Sequence, residues 1–96
     1  MPVTARVENV KTFGTALIEA RDVSPYPDLF MLLMRSNNLI TIRYQEWEGT
    51  VDVSYDGSAV TLPNGGQEYH CTIKAVVPED VAARMKDNLV EIMEAR

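Results

Sequence analysis

The chain has 96 residues, 46% hydrophobic and 24% charged, with a formal net charge of -5. That length suits one domain, 1–96, with a modest core, and the composition argues against disorder. Nine basic residues standing singly among fourteen acidic ones argue against direct nucleic-acid binding, which needs clustered Lys and Arg.

In chain order, PVTARVENV (2–10) reads as an N-terminal strand with Val3, Ala5 and Val7 on one side. Segment 13–36 is ambiguous. FGTALIEARDV fits a second strand or a short helix, since Phe13, Ala16, Leu17 and Ala20 recur at helical spacing. Pro25 and Pro27 break what precedes them. Asp28 can then cap a short helix through LFMLLM ending at Asn37 or Asn38. Alternatively, Asn37-Asn38 turns a hairpin joining FMLLMR to LITIRY. Periodicity does not separate these for a short run that is apolar throughout.

The second half is rich in β-branched and aromatic residues, in LITIRYQEW, TVDVSY, SAVTL and QEYHCTIKAVV, separated by Glu48-Gly49, Asp56-Gly57 and Pro63–Gly66. Asp-Gly between alternating runs signals a two-residue hairpin, and Glu-Gly is a weaker form of it. Turns at all three sites give mutually consistent registers. They put Ile40, Ile42, Tyr44, Val51, Val53, Tyr55, Val60, Leu62, Tyr69, Cys71, Ile73 and Ala75 on one face. Beyond them Pro78, Glu79 and Asp80 have the signature of a helix start, and Val81, Ala82, Met85, Leu89, Ile92 and Met93 form an apolar stripe. The fold expectation is α+β: an antiparallel β-meander over about 39–77, packed by a C-terminal amphipathic helix over about 79–95. The alternative is a small barrel of six or seven strands with a C-terminal helix.

Little of this resembles a catalytic set. The lone His70 and lone Cys71 are neighbours, but strand residues alternate faces. Cys71 is therefore expected in the core as a small hydrophobe, with His70 on the outer face. A structural zinc site wants four Cys or His ligands, and two on opposite faces do not supply it. Phosphate-binding glycine loops, nucleophile elbows and zincin pairs are absent from the sequence. The same registers gather Arg43, Asp52, Glu68 and His70 on the outer face with Trp47, the aromatic anchor of a candidate binding face. Phe30, Met31 and Met34 are candidates for a second contact, because an all-apolar short helix has more surface than a small core covers.

These features predict a non-enzymatic protein–protein interaction module: a regulatory subunit, an inhibitor of a larger protein or an assembly component, self-associating as a homo-oligomer. A small-ligand-binding module is the alternative. No cofactor, metal or catalytic residue is expected. Cys71 alone forms no internal disulfide. MPVTARVENV lacks the features of a signal peptide, and the longest apolar run is far shorter than the ~20 residues a membrane helix needs. The expected location is cytoplasmic, with no membrane association.

Overall fold

The computed structural model describes residues 3–95. Its elements are β1 (Val3–Thr12), β2 (Ala16–Ser24), α1 (Asp28–Arg35), β3 (Leu39–Tyr44), β4 (Trp47–Thr61), β5 (Gln67–Val77), α2 (Glu79–Met85) and β6 (Leu89–Glu94). The strands close a barrel in the order β1-β2-β5-β4-β3-β6, every pair antiparallel. The alternative expectation of a six- or seven-stranded barrel therefore describes the architecture, and the open meander under one long helix does not.

Alternation builds the core. Ile18, Ile40, Ile42, Ile73 and Ile92 project inward from four different strands and are fully buried. In β1, Ala5 and Val7 point inward, and a register shift between Val7 and Asn9 then changes the phase of the strand. The predicted first strand included Pro2, which lies outside the described residues. The helices flank opposite ends of β2: α2 follows Val77, the partner of Ala16, whereas α1 follows shortly after Ser24, the partner of Tyr69. Leu29, Leu32 and Leu33 of α1 and Val81, Ala82 and Met85 of α2 join the same buried cluster. The Tyr44 hydroxyl donates to the Arg84 carbonyl at 2.8 Å, tying β3 to α2.

Both ambiguous segments have definite outcomes. FGTALIEARDV contributes to a strand, and the segment after Pro27 is a helix. Asn37 and Asn38 both take positive φ (53° and 67°) between α1 and β3, a conformation asparagine tolerates better than most residues.

Three expectations are corrected. The C-terminal helix stops at Met85, and Asp87 (φ 66°) turns the chain into β6. Val90 and Ile92 are buried while Leu89 is exposed, so the burial pattern has a period of two. Without β6, β1 and β3 would each present an open edge, and the barrel gains more from a sixth strand than from a longer helix.

Asp56-Gly57 makes no turn, and β4 runs through it in unbroken register with β5. Gly57 instead makes room for Phe30, whose ring carbon lies 2.9 Å from where a Cβ would stand. With no turn to reset the phase, Val60 faces outward and is 42% exposed.

Glu48-Gly49 makes no turn either. The β3–β4 loop is Gln45-Glu46, between the paired Tyr44 and Trp47, with Gln45 at φ 55°. Gly49 lies under the Trp47 indole, which a Cβ would approach to 2.5 Å. The Pro63–Gly66 region does turn, but Thr61 rather than Leu62 pairs with Gln67, and the Leu62 N–H donates to the Gly66 carbonyl at 2.8 Å.

Candidate docking groove

β4 and β5 extend past the barrel. β3 accompanies β4 only to Asp52, with one further bond from the Val53 N–H to the Asn38 carbonyl, whereas β5 continues beside it to Thr61. The segment from Ser54 to Thr61 therefore has no strand on its β3 side among the described residues. α1 crosses near this extension, and between them lies a groove of about 400 Å³. Tyr26, Phe30, Met31 and Met34 line one side, and Ala59 and Tyr69 line the other. Phe30 meets Tyr55 edge-to-face, with ring centroids 5.5 Å apart. Met31 and Met34 are more than half exposed, at 54% and 61%.

Backbone direction on β4 follows from two bonds. The Val53 N–H points to β3 and the Leu62 N–H points to Gly66 on the β5 side. N–H direction alternates along a strand in continuous register. Tyr55, Gly57, Ala59 and Thr61 consequently aim their N–H and C=O groups at the free edge.

The structure divides the residues singled out from sequence. Phe30, Met31, Met34 and His70 all line the groove. Glu68 joins them through His70: its carboxylate lies 2.8 Å from Nε2, while the Arg21 guanidinium bonds Nδ1. Since Nδ1 accepts from Arg21, Nε2 is left to donate to Glu68. Arg43, Trp47 and Asp52 are elsewhere. Arg43 stands opposite Glu48 and pairs with Glu91 at 2.7 Å. Its row is ten positions along β4 from Ser58, the partner of His70, or roughly 33 Å at strand rise. Trp47 is not an outer-face anchor. It lies over Gly49 and packs against the core. The single outer-face constellation depended on the two turns that do not form.

Sequence reasoning missed Asp22. In β2 the inward positions Ala16, Ile18 and Ala20 are buried, and the same phase continues to Asp22, the partner of Cys71. That phase was the available signal, hidden while 13–24 fitted helix and strand alike. Burial first, and then the nearby Asp28 carboxylate, raise the Asp22 carboxyl above its ordinary range. Cys71 is buried, and burial followed by the charges of Asp22 and Asp56 pushes its thiol up to about 11. Against an ordinary value of 9.0, about a hundredfold less thiolate is present at pH 8. Iodoacetamide is expected to alkylate the folded protein about a hundredfold more slowly than the urea-unfolded chain. Equal rates would contradict the buried position of Cys71.

Among the described residues, no three His, Cys, Asp or Glu side chains are arranged to hold a metal ion, and no helix is long and apolar enough to cross a membrane. Fold and groove together define a small antiparallel barrel with an apolar cleft beside an unpaired strand edge. Comparison with known proteins finds no match among family models, curated proteins or solved structures.

Proposed function

We propose that the chain is a protein-docking module that takes an extended segment of a partner as an extra strand on β4. The observation that carries this reading is the unpaired edge from Ser54 to Thr61 lying beside the apolar groove. In strand addition, main-chain bonds supply affinity and alternate side chains enter pockets. The outward amides of Tyr55, Gly57, Ala59 and Thr61 offer the first. The groove offers the second, with adaptable Met31 and Met34 on its wall. The edge also lacks three of the devices that protect such strands: from 54 to 61 it has no Lys and no Pro, and its register with β5 has no bulge.

The test is selection of a displayed random heptapeptide library on the wild-type protein and on Ala59→Pro, which removes one outward N–H. The expected result is a consensus on the wild type and none on Ala59→Pro. A wild type that selects nothing, or a proline variant that selects the same consensus, rejects the reading. Self-association would be the case in which a second copy adds its own β4. Light scattering would then find a dimer that Ala59→Pro returns to monomer. The groove's volume of about 400 Å³ also falls within the ~300–1,000 Å³ typical of small-ligand pockets, which favours a ligand-binding module as the second reading.

A further inference from the structure

We infer that the docked segment carries a lysine or arginine whose cation is received at Asp22. This identifies the partner chemistry of the same groove and rests on the strand-docking reading above. Asp22 faces inward, yet among the described residues it has neither a hydrogen bond nor an ion pair. The groove lining contains no Lys or Arg to neutralise it. Arg6 and Arg21 line a second cavity with Asp22, and both are engaged elsewhere: Arg6 with the Asp87 carbonyl and Arg21 with His70.

An unpaired carboxylate facing an otherwise apolar groove is costly to keep charged, and its desolvation is visible in the upward displacement of its proton affinity. Asp28 adds a second negative charge in the first turn of α1. A cation entering the groove relieves both. The rings of Tyr26, Phe30 and Tyr69 line the same groove, and aromatic faces attract cations.

Register supports the route. Asp22 pairs with Cys71 and Cys71 with Gly57, so one row joins the carboxylate to the free edge of β4, with the Phe30 ring seated on Gly57 as one wall of the path. A strand added there lies three strand spacings from Asp22, roughly 14 Å on a flat sheet. Lys and Arg, with the longest side chains, come nearest to spanning it, reaching about half that distance from the added strand. Overall charge agrees: two copies of a chain carrying -5 repel each other, whereas a basic segment is drawn in.

The experiment is the heptapeptide selection repeated on wild type and Asp22→Asn, followed by fluorescence anisotropy with the best wild-type peptide and its Lys/Arg→norleucine analogue. The wild type is expected to enrich Lys or Arg at one fixed position among apolar neighbours. Asp22→Asn should keep the apolar preference and lose the basic one. The basic peptide should bind Asp22→Asn at least about tenfold more weakly, while the norleucine analogue binds both proteins alike. A wild-type consensus with no basic position, or a basic preference that survives Asp22→Asn, overturns the inference and leaves strand docking standing. No consensus on the wild type overturns both. Asp22→Asn removes a desolvated charge, so its melting temperature at neutral pH should not fall. If it does fall, the carboxylate has an internal role and the inference fails on that ground.

Discussion

Leu33→Ala is expected to lower the unfolding free energy by about 2–5 kcal/mol and to abolish peptide selection by the groove. Leu33 is fully buried and sits in α1, a helix of eight residues. A helix that short does not persist on its own propensity and is held by its packing. Pro27, and not Asp28 as expected, is the N-cap, and it makes no side-chain capping bond, so attachment falls to Leu29, Leu32 and Leu33, all buried. Truncating the most deeply buried of the three loses the transfer energy of the removed carbons and leaves a void between α1 and the barrel. The same helix carries Phe30, Met31 and Met34, so loosening it also displaces one wall of the groove. Met34→Ala is the control: at 61% exposure it should change stability by no more than about 0.5 kcal/mol. Urea titration measures both. A cost for Leu33→Ala within that control range would mean that α1 is not docked on the core.

The second large effect is a contrast between neighbours. Ser58→Pro is expected to destabilise the fold by on the order of 1–3 kcal/mol, whereas Ala59→Pro should cost no more than about 0.5 kcal/mol. Ser58 pairs with His70, and its N–H points to β5. Proline there removes a ladder bond and leaves the facing carbonyl without its donor. Ala59 directs its N–H to the side that β3 no longer accompanies, where proline is tolerated. In a domain of this size, about 1 kcal/mol corresponds to a melting shift of roughly 4–8 °C, so thermal denaturation separates the two variants. Equal losses would show that the β4 edge is already paired, which would end the strand-docking reading whatever binds the groove.

Much of the barrel was legible in the sequence because alternation is a local property. Ile40, Ile42 and Tyr44 in β3, and Cys71, Ile73, Ala75 and Val77 in β5, declare their inward phase without reference to any other strand. The glycines misled for the opposite reason. Gly49 and Gly57 have the same neighbours a turn would have, yet each exists to let an aromatic ring lie on the backbone. For Gly57 the ring comes from Phe30, on a different element. The final strand was hidden because Leu89, Ile92 and Met93 fit a helix in isolation. The decision between helix and strand is made by the open edges of β1 and β3, which no window around residue 90 contains. The groove was half legible: Phe30, Met31 and Met34 announced surplus apolar surface, whereas the strand edge facing them emerges only when β4 is known to run unbroken.

Closure by β6 also governs how the molecule comes together. The β1–β6 pairing joins Val3 to Ile92 and Ala5 to Val90, residues nearly a whole chain apart, so loop-closure entropy favours making this contact late. Forming it means closing a very long loop before any reward is collected, the kind of topology that folds in milliseconds to seconds rather than microseconds. During that interval β1 and β3 both lie open as templates. The late-arriving strand thus acts as a seal, and the time taken to apply it is the period in which crowded refolding chains are most exposed to pairing with one another.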